Sequence, residues 1–212
     1  LSKMLTCKHP VMAMKLLRKT GAMHYVIPEL EETYSMTQNE YHFGTVWEHT
    51  MAVLEGTKDD NLILRLSALL HDIGKIRVRT EEDGKIHFLK HELKSGEMID
   101  ELLRPLKFCN EVIKEVTFLV RNHMICKTWG YECENMKDKK LRRLQYESKT
   151  EERFRNLMTI IDADNKAHAA DKYMPKQVEL IILRTDVMKA EGSAMFGYKL
   201  PLTGKEIMDL KG

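Results

Sequence analysis

The sequence predicts an all-α fold with one short β-hairpin, and its composition and its periodicity both support that class. Gly (11) and Pro (5) are scarce in the 212 residues, below average usage of about 7% and 5%. The chain therefore has few of the residues that form the tight turns between many short strands. Apolar residues recur at helical spacing along most of the chain. The segments with this spacing are 11–19, 45–55, 60–70, 92–103, 110–123, 151–170 and 175–189.

One segment, residues 75–89, has the pattern of a hairpin instead. The runs IRVRT and KIHFL flank Asp83-Gly84, a pair that favours a tight two-residue turn between antiparallel strands. We expect a small excursion from the helical body here. The polar stretch 128–149 is predicted to form a loop and an exposed helix.

Charge and cysteine content exclude several classes of protein. Lys and Arg number 34 against 32 Asp and Glu, a net charge of +2, which argues against a polybasic nucleic-acid coat. No apolar run approaches the roughly 18 residues that span a bilayer, so we expect no membrane contact. Four cysteines without a C-x-x-C pair indicate reduced thiols and a cytoplasmic protein.

The doublet His71-Asp72 is the first candidate for chemistry. It follows the apolar run LILRLSALL and precedes Gly74, which we expect to terminate that helix. A helix C-terminus favours a cation. Adjacent helical residues diverge by about 100°, so both side chains reach one ion only if it lies off the helix end. One nitrogen and one anionic oxygen suit Mn, Fe, Co, Ni or Zn.

Further potential ligands occur in other predicted helices, beside apolar residues where an unpaired ionisable group is costly to bury. They are His49, His91, His123 and the pair Asp162 and Asp164. A single such residue has a simpler explanation as a hydrogen-bonded core group. Several of them, together with a His-Asp doublet, favour convergence on a metal.

The order of these residues resembles the HD superfamily of metal-dependent phosphohydrolases, whose pattern is H…HD…H…H…D. The setting ALLHDIGK at 68–75 is more specific than the doublet alone. The resemblance implies an HD-domain helical bundle with six metal-binding residues. In it, His49, His71, Asp72 and Asp164 hold a first metal, and His91 and His123 complete a second site around Asp72.

Some ligand assignments leave alternatives. Asp164 is preferred to Asp162 because residues 163–168 look like the family's AD-x-x-AH segment. His42 and His87 could each replace a named ligand. The cofactor is expected to be one or two divalent ions, with Mn, Ni, Co, Fe, Mg and Zn all open.

Catalytic roles are expected for Asp72 and Lys75. A divalent ion lowers the pKa of bound water to about 7, and Lys75, Arg77 and Arg79 could neutralise charge on a phosphate substrate. For the two arginines, plain surface charges on the hairpin are the alternative.

The resemblance extends to bacterial tRNA nucleotidyltransferases and poly(A) polymerase-like enzymes. MAMKLLRKTGAMHYVIPEL at 12–30 looks like their neck helix, and PLTGKEIM at 201–208 like their tail segment. This implies a neck-like segment at 1–40, an HD core at 41–172 and a helical tail at 173–212. The Gly-Ser turn and D-x-D pair of the polymerising head have no match, so we expect a piece of a longer protein.

Two functions follow from the resemblance. The first is hydrolysis of a phosphomonoester or 2′,3′-cyclic phosphodiester of a nucleotide or RNA end. The alternative is a non-catalytic tRNA-binding module that holds phosphates with four basic residues, unless these form only a solvated face. They are Lys139, Lys140, Arg142 and Arg143. The oligomeric state is left open.

Overall fold

The structure is a computed structural model that describes residues 1–38, 44–57, 60–169, 174 and 176–197. Its helices are α1 (Ser2–Leu5), α2 (Pro10–Lys19), α3 (Met23–Val26), α4 (Pro28–Glu32), α5 (Val46–Gly56), α6 (Leu62–Leu70), α7 (Lys75–Val78), α8 (His91–Leu103), α9 (Asn110–Asn122), α10 (Asp138–Ser148), α11 (Glu151–Lys166) and α12 (Gln177–Ala190). A 3-10 helix (Lys127–Trp129) lies between α9 and α10. The all-α prediction is confirmed. Among the described residues, no helix has both the length and the apolar character to cross a bilayer.

Side-chain caps fix where the central helices begin. Thr45 and Glu48 form a reciprocal capping box at the start of α5, each side chain accepting from the other's backbone N–H. Asn61 Oδ1 accepts from the N–H groups of Ile63 (2.9 Å) and Leu64 (3.3 Å) at the start of α6. These bonds satisfy donors that have no partner within the helix.

Helix α6 is the centre of the core. All its residues from Leu64 to Leu70 are buried, and α5, α9 and α11 pack around it. Because α6 ends inside the molecule, the His71-Asp72 doublet that follows it is placed in the interior. A buried doublet has to find polar partners there, since unpaired ionisable groups are costly.

The N-terminal segment is attached to α6 through a buried arginine. Arg65 is only 6% exposed, and its Nη1 donates to the backbone carbonyls of Leu5 (2.9 Å) and Cys7 (3.3 Å). Hydrogen bonds from a charged donor contribute about 1.5–3 kcal/mol each. The segment is therefore held to the same helix that carries the doublet.

The hairpin is confirmed but is shorter than predicted. Strands β1 (Thr80–Glu82) and β2 (Lys85–His87) pair antiparallel with Glu82 opposite Lys85. Asp83 and Gly84 have φ of 50° and 73°, the left-handed pair of a type I′ turn. The expected strand residues before Thr80 instead form α7, whose first side chain, Lys75, reaches back to Asp72 at a spacing of three residues.

Gly74, which was expected to terminate α6, lies four residues beyond the end of that helix at Leu70 and just before α7. Its φ is −66°, a conformation open to any residue. A Cβ at this position would lie 2.4 Å from Ser95 N and 2.6 Å from His91 O. The Gly74 N–H also donates to Ser95 Oγ at 2.8 Å. Glycine is required here because α8 passes against the backbone.

Replacing Gly74 with alanine should destabilise the fold by about 1–3 kcal/mol, the usual cost of overpacking. The backbone atoms of α8 would have to move away from the new methyl group. Chemical denaturation would measure the loss. Gly84→Asn is the control, because no atom lies within 4 Å of a Cβ there and asparagine tolerates positive φ. Equal stability of the two variants would contradict the close approach.

Candidate metal centre

A buried cluster of imidazoles and carboxylates lies where the ends of α6, α8, α9 and α11 meet α5. All six side chains assigned to metal binding from the sequence are in it, and each is at most 8% exposed. They are His49, His71, Asp72, His91, His123 and Asp164.

Backbone carbonyls orient three of the histidine rings. His71 and His123 directly follow α6 and α9, and His91 is the first residue of α8. Their Nδ1 atoms lie 2.8 Å from Ala68 O, 2.7 Å from Val120 O and 2.9 Å from Phe88 O, respectively. A carbonyl only accepts, so Nδ1 carries the proton in each ring. In the neutral rings Nε2 is then unprotonated, as a metal ligand must be.

The first group of ligand atoms surrounds a point between α5, α6 and α11. His49 Nε2 and His71 Nε2 lie 3.3 Å apart. Asp164 Oδ1 is 3.1 Å from His49 Nε2, and Asp72 Oδ2 is 3.2 Å from His71 Nε2. His49, His71 and Asp164 are close enough together to hold one metal ion.

The second group uses the other oxygen of Asp72. Asp72 Oδ1 lies 3.1 Å from His91 Nε2 and 3.8 Å from His123 Nε2. His71, Asp72 and His123 also meet the spacing of a metal site. The Asp72 carboxylate thus faces both groups. The arrangement could accommodate one or two ions.

The residues present fit a divalent cation. Two unprotonated ring nitrogens 3.3 Å apart repel each other unless a proton or a metal ion lies between them. Asp72 Oδ2 and Asp164 Oδ2 accept no hydrogen bond of good geometry, although lysine ammonium groups lie near both. A mixed nitrogen and oxygen donor set suits transition metals better than Ca²⁺.

The pKa values of both carboxylates are lowered, and burial opposes a proton on His49 and His123. Burial would raise the pKa of Asp72, but His71 and Lys75 outweigh it and hold that pKa well below its ordinary value. Burial lowers the pKa of His49 and, with nearby His71 and His91, lowers that of His123 to about 3. For His71, burial is outweighed by Asp72, and the pKa rises. A proton on His71 therefore competes with a metal for the same place.

Two lysines flank the carboxylates. Lys75 Nζ lies 2.7 Å from Asp72 Oδ2 and donates to Gln38 Oε1 at 2.7 Å. Lys127 Nζ lies 3.0 Å from Asp164 Oδ2, and its charge holds the pKa of Asp164 well below its ordinary value against the opposing effect of burial. Each aspartate has one oxygen beside an ammonium group.

Sequence reasoning missed Lys127 and His168. Lys127 Nζ also donates to Asn165 Oδ1 at 3.0 Å and contacts His168 Nε2 at 3.3 Å. His168 donates from Nδ1 to the Asp164 carbonyl at 2.6 Å. The AD-x-x-AH segment contained a signal for His168, four residues after Asp164. Lys127 lies four residues after His123 in a polar stretch. Nothing in the local sequence there indicates a role at the centre.

Several candidates lie away from the cluster. Arg77 pairs with Glu32 and Arg79 with Glu81, in partly exposed ion pairs. Asp162 points away from the centre and pairs with Lys166 at 2.5 Å. His87 lies in β2, and His42 lies outside the described residues.

Helix α10 presents the predicted basic surface. Lys139, Lys140 and Arg143 are exposed, and Arg142 and Arg143 pair with acidic residues on the same helix. A cavity of about 250 Å³ lies between α10 and the 3-10 helix and is lined by Lys140, Arg143, Thr128 and Trp129, among others. Thr128 and Trp129 directly follow Lys127, which is part of the centre.

Two family models match the chain. The HD domain model matches residues 39–173, more than half of the sequence. A model described as the probable RNA and SrmB-binding site of polymerase A matches residues 1–33.

Known relatives of the chain include enzymes named for tRNA. A CC-adding tRNA nucleotidyltransferase of Thermus thermophilus is 32% identical over 58% of this chain and 30% of its own length. An A-adding tRNA nucleotidyltransferase of Deinococcus radiodurans is 32% identical over 51% of this chain and 26% of its own length. A multifunctional CCA protein of Paraburkholderia phymatum is 31% identical over 55% of this chain and 28% of its own length. The match thus spans less than a third of each of these relatives.

Mn²⁺ should stabilise the chain against heat, and Asp164→Asn should remove most of that gain. An ion present at 100 times its dissociation constant contributes about 2.7 kcal/mol. The asparagine loses the anionic oxygen that faces His49. Thermal unfolding with and without Mn²⁺ would measure the effect. Asp162→Asn, on the same helix, should keep the full gain, and an equal gain in both variants would rule out Asp164 as a ligand.

Proposed function

The chain belongs to the HD domain family, and on that premise we propose that it is a divalent-metal-dependent phosphohydrolase. Its substrate would be a phosphomonoester or a 2′,3′-cyclic phosphodiester of a nucleotide or RNA end. The observation that carries the proposal is the Asp72 carboxylate, buried between two groups of inward-facing imidazole nitrogens. Imidazole nitrogens together with carboxylate oxygens form a donor set that suits a divalent transition-metal ion.

The metal-binding residues would be the six in the cluster. When bound, a divalent ion supplies a water molecule acidic enough to act as a nucleophile near neutral pH and polarises a phosphoryl oxygen. Asp72 would bridge the two groups through its separate oxygens. The backbone carbonyls behind His71, His91 and His123 hold the rings in place without further reorganisation.

Lys75 is suited to stabilise charge at the phosphate. Its side chain is only 2% exposed, and its ammonium lies between Asp72 and Gln38. An ammonium fixed in a dry site stabilises developing negative charge more strongly than one in water. We assign Lys75 this role, and we do not assign it to Arg77 or Arg79, whose exposed ion pairs lie outside the cluster.

The names of the relatives support an RNA end as the substrate. They are tRNA nucleotidyltransferases, and residues 1–33 match an RNA-binding model. We propose that the chain is the HD module of such a protein, with a neck-like segment at 1–40, a core at 41–172 and a tail at 173–212. Residues 198–212, which include the PLTGKEIM stretch at 201–208, lie outside the described residues.

Asp72→Ala should abolish hydrolysis by the Mn²⁺-loaded chain, because both groups of ligands lose their shared carboxylate. The measurement is phosphate release from nucleoside 2′- and 3′-monophosphates and ring opening of 2′,3′-cyclic nucleotides. Asp162→Ala, which removes an outward-facing carboxylate, should keep wild-type rates. A metal-loaded wild-type chain that hydrolyses none of these compounds would overturn the enzymatic proposal.

A second candidate function is tRNA binding without catalysis. The match of residues 1–33 to an RNA-binding model and the exposed basic side chains of α10 favour it. Lys139, Lys140, Arg142 and Arg143 would contact phosphates. Two of these residues, Lys140 and Arg143, also line the cavity beside the 3-10 helix.

If α10 contacts RNA, affinity for tRNA should fall steeply with salt. A plot of log affinity against log salt concentration has a negative slope. The double variant Lys140→Ala with Arg143→Ala should make that slope shallower by about 1 for each lost contact. Fluorescence anisotropy across a salt series would measure the slope. Lys94→Ala is the control, because the Lys94 side chain is 41% exposed and pairs with Glu97 on α8. An unchanged slope in the double variant would exclude α10 from the interface.

A further inference from the structure

Lys127 lies at the one edge of the described centre where an ammonium group is partly open to solvent. We propose that Lys127 recruits the phosphate of the substrate, so that a divalent cation and a phosphate bind cooperatively. This inference rests on the proposed metal centre and adds to it a substrate-binding residue that the family pattern H…HD…H…H…D does not contain.

The two lysines of the centre differ in how firmly they are held. The Lys75 side chain is 2% exposed, and both of its polar contacts are 2.7 Å long. The Lys127 side chain is 17% exposed, and its contacts to Asp164, Asn165 and His168 are 3.0 to 3.3 Å long. Longer bonds and access to water make Lys127 the ammonium group that can exchange partners.

With its histidines neutral, as metal binding requires, the centre has no net charge apart from that of the ion. Asp72 and Asp164 contribute two negative charges, Lys75 and Lys127 contribute two positive charges, and metal-bound histidines are neutral. Glu92 approaches only the outer Nδ1 of His91, at 3.8 Å. A divalent cation therefore adds two uncompensated positive charges in a buried site, which is unfavourable. A phosphate dianion restores neutrality.

A bound cation also changes what Asp164 offers to Lys127. A divalent cation held by Asp164 would withdraw negative charge from its carboxylate, so the contact of Lys127 with Asp164 would weaken. The ammonium group is then available to donate to a phosphate oxygen, with which it makes a strong charge-assisted bond. Asn165 and His168, both acceptors for Lys127, keep the side chain close to the centre.

The residues that directly follow Lys127 line a cavity of mixed charge. Thr128 and Trp129, the next two residues, line the cavity of about 250 Å³ that Lys140 and Arg143 also line. Both cations are exposed, but Glu147 also lines this cavity and pairs with Arg143 at 2.7 Å. The cavity is therefore mixed in charge, and the recognition of phosphate falls to Lys127 itself.

The test is a titration of the purified chain with Mn²⁺ in the presence and absence of inorganic phosphate, following free Mn²⁺ by electron paramagnetic resonance. Phosphate should raise the affinity for Mn²⁺ by about 5-fold or more, the lower end of typical coupling between sites. In Lys127→Met the increase should fall below about 2-fold, while the affinity without phosphate stays equal or rises. Lys127→Arg should retain the coupling.

The outcomes separate this inference from the proposed function. A wild-type chain that binds no Mn²⁺ overturns the metal centre itself. Binding of Mn²⁺ that phosphate does not change overturns the role of Lys127 alone, and this result needs no variant to fold. Full coupling in Lys127→Met, or a large loss of Mn²⁺ affinity without phosphate, would show that Lys127 only positions Asp164. Lys94→Met, which removes a lysine from the exposed face of α8, is the control and should match the wild type.

Discussion

Hydrogen bonds from histidine Nδ1 atoms to backbone carbonyls are the constraint on which the centre depends. His71 and His123 each use a carbonyl from the last turn of the helix they follow. Such carbonyls have no hydrogen-bond partner within the helix. The bond from Nδ1 therefore satisfies one of these carbonyls and fixes the orientation of the ring. The direction of Nε2 is therefore set by the helix axis. Any displacement of α6 relative to α9 would therefore change the position of one ring relative to the other.

The polar cluster is costly to bury, and its lysines offset part of that cost. A carboxylate without compensation in a dry interior is destabilising by several kcal/mol. Asp72 and Asp164 each lie beside an ammonium group as well as beside imidazoles. The fold can thus form before an ion is present, and binding need not drive folding as it does in zinc fingers. Affinity for the ion is reduced as a consequence, since the lysines repel it.

The residues that could be predicted are those whose chemistry shows in local spacing. The doublet after an apolar helix, the paired donors in other helices and the Asp83-Gly84 turn all have short-range signals. Helix boundaries agreed within a few residues for α6 and α9. Gly74 was misjudged because its requirement comes from α8, about twenty residues away in sequence. Lys127 was missed for the same reason, since only the packing of the 3-10 helix against α11 brings it to Asp164.

The attachment of Arg65 to Leu5 and Cys7 has a geometric consequence for the whole molecule. Arg65 and His71 are six residues apart on a continuous helical backbone, which corresponds to about 9 Å along the axis and about 1.7 turns. The N-terminal segment and the centre are thus linked by a stretch of helix, which fixes both the distance between them and the angle between them about the helix axis. Removing one residue between Arg65 and His71 would shorten this stretch of helix by only about 1.5 Å. It would also rotate one of the two side chains about the helix axis by about 100° relative to the other. Evolution can vary the side chains of α6 far more easily than its length.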